Sequence, residues 1–148
     1  MDAMVVRNLR PGDEQAVAAL VASCSEECLR DRFFGVVADP VARLAAQVRE
    51  AVWEGCATAA FGYGDVMVAL AVGLPDRSGT TWDLGLLVCD EWQGVGVGTL
   101  LLHRLVSEAE SAGALPVALV EAANARARRL ARRLHRSRRG CSLRVEIA

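Results

Sequence analysis

Six residues, Gln93-Gly94-Val95-Gly96-Val97-Gly98, constrain this chain more than any other stretch of it. An apolar run, Leu86-Leu87-Val88, comes shortly before them, and a leucine-rich amphipathic stretch begins at Thr99. The glycines therefore stand where a strand turns into a helix. Glycine lets the backbone take positive φ and lets a ligand approach where a Cβ would block it. Such a turn aims N–H groups outward, and the helix that starts there adds the positive end of its macrodipole, which suits a pyrophosphate. The plainer reading of a glycine cluster is a tight turn that holds nothing.

The flanking pattern sets the architecture. Met4 to Asn8 reads as a first strand, ended by Pro11-Gly12, with Asp13 placed to cap a helix carrying Ala16, Val17, Leu20 and Val21. Ser25 with Glu27 and Cys28 marks a second helix start. Asp39-Pro40 marks a third, whose buried stripe is Leu44, Ala45, Val48 and Val52. Three antiparallel strands follow, at about Cys56 to Gly62, Asp65 to Leu74 and Thr80 to Cys89, joined by Gly- and Pro-containing turns. Beyond the glycine loop a helix runs to Ser111, closed by Gly113. Pro116 to Glu121 is a buried strand, Asn124 caps a last helix, and Ser142 to Ile147 is a terminal strand. The expected fold is α/β: a mixed, mostly antiparallel central sheet with one parallel crossover after the glycine loop and helices on both faces. The stretch after His135 leaves room for a short final hairpin.

Spacing sorts the ligands that such a loop can hold. A nucleoside-triphosphate loop needs Gly-Lys, and the chain contains no lysine. A dinucleotide fingerprint starting at Gly94 needs its third glycine at position 99, which is a threonine. Q-x-x-G-x-G, which Gln93 to Gly98 matches after an apolar strand and before a Leu-Leu helix, resembles the coenzyme A motif of the GNAT superfamily of N-acetyltransferases. The element order resembles that fold over nearly the whole chain, with Asn124 in the expected place downstream. Asp90 to Gly94 and Ser25 to Phe34 look closest to bacterial protein-lysine acetyltransferase domains.

The resemblance implies a GNAT-like acyl-CoA-binding domain over residues 1–148, with acetyl-CoA as cosubstrate and a primary amine, in a protein lysine or a small molecule, as acceptor. It implies that Leu87 and Val88 line the pantetheine arm, and that a backbone N–H at or beside Val88 stabilises the oxyanion, a donor typically worth ~3 kcal/mol. Gln93, Gly94, Val95, Gly96, Val97, Gly98 and Thr99 form the phosphate loop, with Asn124 beside it. Relatives often carry cations where Val95 and Val97 stand, so Arg126 or Arg129 is expected to supply that charge. The attacking amine needs a base. Asp83, five residues before Val88, is the first candidate, Glu121 the second, and Glu26 or Glu27 can bind a cationic substrate. Each of these carboxylates also reads as a surface charge. Relatives place a tyrosine acid on the last helix; here that position is Ala131, and the chain's one tyrosine, Tyr63, lies elsewhere. An acyl-CoA-binding sensor domain without turnover is the alternative.

Composition excludes other classes. At 148 residues, 53% hydrophobic and 24% charged, the chain is of single-domain size, and no apolar run approaches the roughly 20 residues that span a bilayer. The amino terminus lacks a secretory pattern, so a bacterial cytoplasmic setting without membrane contact is expected. Five scattered cysteines form no disulfide framework, and Cys24 and Cys28 lack further ligands at metal spacing, so no metal is expected. All 17 basic residues are arginine at a net charge of −1. Arg126, Arg128, Arg129, Arg132, Arg133, Arg136, Arg138 and Arg139 cluster near the end. Apolar residues interleave at helical spacing and no aromatics stand ready to stack bases, so this is a charged helix face and not a nucleic-acid site. Nothing in the sequence sets the oligomeric state, and a homodimer is compatible with it.

Overall fold

The computed structural model describes residues 4–137 and 140–147. Arg138 and Arg139 of the arginine cluster lie outside the described residues. Six strands form one sheet in sequence order: β1 (Val5–Asn8), β2 (Cys56–Phe61), β3 (Met67–Pro75), β4 (Thr81–Val88), β5 (Leu115–Val120) and β6 (Arg144–Ile147). The helices are α1 (Val17–Ala22), α2 (Glu26–Phe33), α3 (Pro40–Glu54), α4 (Val97–Ser111) and α5 (Ala125–Ser137). The first four strands pair antiparallel, so the sheet is mixed and mostly antiparallel, as the pattern predicts.

Burial follows from this layering. α4 lies against β2, β3, β4 and β5, whereas α1 and α3 cover the opposite face with α2 set against β4. β2 and β3 sit between the two layers and are buried along nearly their whole length, which is why they read as apolar runs without alternation. Leu101, Leu105, Val106 and Ala109 of α4 and Leu44, Val48 and Ala51 of α3 are buried in the core from its two sides.

The caps behave locally as their chemistry dictates. Ser25 accepts the Cys28 N–H, Asp39 the Ala42 N–H and Asn124 the Ala127 N–H. Gly113, at φ 76°, follows the end of α4. Asp13 departs from its expected role. It is drawn into an ion pair with Arg7 at 2.7 Å and accepts the Arg10 N–H, so it closes the turn after β1 and caps no α-helix. The sheet holds a second correction: β6 runs parallel to β5 and does not form a final hairpin. Helix α5 carries the chain back across the sheet, so two parallel crossovers follow the glycine loop instead of one. Among the described residues no helix is long and apolar enough to cross a membrane.

Candidate functional site

β4 and β5 pair over only four residues, Thr81↔Leu115 to Leu84↔Ala118, and beyond Leu84 the strands part. β4 continues along β3 to Val88↔Ala69, so one of its edges is covered and the other faces a gap. The Cys89 N–H bonds to Val68 on the β3 side. Because strand residues alternate in the edge they address, Val88 turns its own N–H and C=O toward the gap. The Val88 carbonyl is met there by Gln93 Nε2 at 2.9 Å and by the Cys28 thiol at 3.3 Å.

The gap opens into a cleft of about 600 Å³, a volume ordinary for a small-molecule site. The glycine loop forms one end. Gly94 and Gly96 take φ of 80° and 93°, and a Cβ on either would meet nothing within 4 Å, so their positive φ is what requires glycine. Gly98 answers to a different constraint: a Cβ there would stand 2.8 Å from Leu130 Cδ1 and 3.1 Å from Leu86 Cδ2, so its absence lets α4 close on β4 and α5. α4 starts at Val97 and points its amino terminus at the cleft wall formed by Gly96, Gly98 and Thr99. Arg126, Arg129 and Arg133 of α5 line the same cleft at helical spacing. A cradle without side chains, a helix amino terminus and three guanidinium groups suit an elongated, multiply phosphorylated ligand.

Of the residues expected from the sequence, Leu87, Val88, Gln93, Gly94, Gly96, Gly98, Thr99, Asn124, Arg126 and Arg129 line this cleft. Val95 projects outward from the loop, exposed, and Val97 is buried in the core, so neither side chain is part of the wall. Asp83 is exposed on β4, in register between Leu74 and Val117, one residue before the strands part and outside the cleft wall. Glu121 follows β5, half-buried, with its carbonyl accepting the Asn124 N–H; it too lies outside the wall. Glu27 lines the cleft and Glu26 does not. Ala131 is buried and Tyr63 is exposed away from the cleft.

The sequence reading missed most of the α2 contribution. Cys28 and Arg32 both face the cleft from that helix. Cys28 accepts from Cys24, which draws its thiol below the usual range, while the same bond and burial push Cys24 up. Asp90 joins this pair, with ligand-type atoms of the three within 4.8 Å of one another, but both its oxygens already accept from Ser25, at 2.8 Å from the N–H and 2.8 Å from the hydroxyl. The Arg32 guanidinium packs against the bare backbone of Gly85, where a Cβ would stand 2.5 Å from Nη2. Helical spacing puts Cys28 and Arg32 on one face of α2, which is the signal that could have found them.

Comparison with known proteins agrees with this geometry. The Acetyltransferase (GNAT) family model matches residues 23–135. No curated protein matches the chain significantly in sequence. Among solved structures, yncA of Salmonella typhimurium, determined with acetyl-CoA, is similar at TM-score 0.70 and 23% identity, over 90% of this chain and 79% of that one. The GNAT domain of S. lividans PAT gives 0.71 and 21% over 90% and 86%. A ribosomal-protein-alanine N-acetyltransferase of Brucella melitensis gives 0.71 and 19% over 88% and 83%.

Proposed function

We propose, for a chain that belongs to the GNAT acetyltransferase family, that it moves an acetyl or other short acyl group from coenzyme A to a primary amine. Acetyl-CoA is the cosubstrate of this family. The observation that carries the reading is the parting of β4 from β5, which turns the Val88 N–H into a cleft that ends on the glycine loop. The pantetheine arm would lie along that exposed edge as an added strand, with its pyrophosphate on the amides of Gly94 to Thr99 and near Arg126 and Arg129. As the amine attacks the thioester, the Val88 N–H would face the developing oxyanion, a donor worth ~3 kcal/mol in such sites.

The amine must first lose its proton. Asp83 stands on the strand edge where the gap begins, and its exposure suits proton transfer through water. Glu121, across the gap, is the second base. One similar structure is a ribosomal-protein-alanine N-acetyltransferase, and the α2 and loop segments resemble protein-lysine acetyltransferase domains, so a protein amine and a small amine both fall within the proposal. A single domain acting in a cytoplasmic setting fits the composition.

A second reading, a domain that binds acyl-CoA without turning it over, is favoured by Ala131 at the usual acid position and by two carboxylates that stand outside the cleft wall. Calorimetric titration with acetyl-CoA, with NADH as control, tests the shared part. Binding near micromolar affinity by acetyl-CoA alone is the expected result, and absence of binding would overturn both readings. Release of free thiol with a panel of amines then separates enzyme from sensor.

A further inference from the structure

Arg32 is the one arginine on the α2 side of the cleft wall, and its surroundings do not neutralise it. A guanidinium offers five N–H donors. Among the described residues its hydrogen-bond acceptor is the neutral Gln47 Oε1, at 2.7 Å from Nη2. Its Cζ lies 5.1 Å from the centroid of the Phe33 ring, and Arg43 approaches the same ring at 5.3 Å, so a second cation shares that ring. Burial first, and Arg43 second, pull its pKa down to about 10. Glu27 and Asp31 share the cleft, yet neither forms an ion pair with it. Arg32 is half-buried and opens on the cleft, so a partly desolvated cation without an anion is left for a ligand to pair.

Position says which ligand. Arg32 lies against Gly85, on the α2 side of β4, whereas Arg126, Arg129 and Arg133 reach the cleft from α5. Alternation along the strand puts Asp83 on the same face as Gly85. Gly85 and Val88 are three residues apart, about 10 Å along a strand. That span along the strand is short enough for one small acceptor to reach from the guanidinium to the thioester. Glu27 and Asp31 suit the ammonium end of a zwitterion.

We infer that Arg32 is an acceptor subsite for a carboxylate, and that the amine acylated is a small amino acid or a close analogue rather than a lysine within a protein. The inference rests on the acetyltransferase reading and narrows it. Gly85 belongs to the same device, since only glycine leaves room for the guanidinium above the strand.

The test compares free amino acids, β-alanine and 4-aminobutyrate with their carboxamides and with a lysine-containing peptide, by thiol release and by calorimetry on the coenzyme A complex. The wild-type protein is expected to prefer free acids over carboxamides in kcat/KM, or in affinity where turnover is slow, by at least about 30-fold. Arg32→Met should collapse that ratio toward unity, with acetyl-CoA affinity measured on the same variant to report that the cleft is folded. Gln47→Glu is a second variant that leaves Arg32 in place but gives it an internal anion; it should raise KM for the free acids. Equal use of acids and carboxamides, preference for the lysine peptide, or binding of no free acid would each overturn the inference while leaving acetyl-CoA binding intact. Loss of acetyl-CoA binding in the wild-type protein would instead overturn the reading beneath it.

Discussion

Gly96 and Gly98 stand two positions apart and answer to different physics. Gly96 needs positive φ and has open space around it, so Gly96→Leu adds about 1–2 kcal/mol of backbone strain and projects a side chain into the anion cradle. Calorimetry should find acetyl-CoA binding lost while the far-ultraviolet spectrum stays that of a folded domain; retained tight binding would remove the loop from the site. Gly98→Ala should act the other way round, lowering stability by about 1–3 kcal/mol in thermal melts through the contact with Leu130 and Leu86. For Asp83→Asn, turnover should fall about 100-fold with acetyl-CoA affinity unchanged. An unaltered pH–rate profile in that variant would dismiss Asp83 as the base and leave Glu121. The glycines and the Asn124 cap were legible in the sequence because their roles are settled within a few residues. Cys28 was not, since the groups it meets, Val88 O and Gln93, come from 60 and 65 positions away.

At the scale of elements, α2 is a cleft wall held by its first turn. Ser25 caps the helix and is itself gripped by both oxygens of Asp90 from the loop after β4. The Ser25 N–H, then its hydroxyl, hold the Asp90 carboxyl below its usual range. A carboxyl whose folded pKa is depressed contributes stability above its unfolded value of about 4, and that contribution is lost as pH falls through the folded value. The grip should therefore be equally firm at pH 5 and pH 8. Asp90→Ala should speed amide exchange across residues 25–33 roughly 5-fold, the equivalent of about 1 kcal/mol; unchanged protection would show that α2 is held by its packing alone. The start of this helix was readable from Ser25, whereas its anchor was not, because Asp90 reads locally as just another acidic residue before a loop. The direction of β6 escaped the sequence for a related reason. Four residues, Arg144 to Ile147, carry no signal of which neighbour they will join, and the return path through α5 decides it.

For the molecule as a whole, binding the native state alone must raise its melting temperature. At a ligand concentration 100 times the dissociation constant the gain is about 2.7 kcal/mol, which for a domain of this size corresponds to a shift of roughly 5–10 °C. Acetyl-CoA should produce that shift in a fluorescence melt and NADH should not; equal shifts from both would point to a general nucleotide site. The fold class was legible because burial on both faces gives β2 and β3 their near-continuous apolar runs while α3 and α4 keep helical periodicity. The splitting of the sheet also leaves β4 with two neighbouring strands up to Leu84 and with one beyond it. A slender ligand laid in the gap would stand in for the missing neighbour, so the Val88 amide should exchange with solvent more slowly when the cleft is occupied.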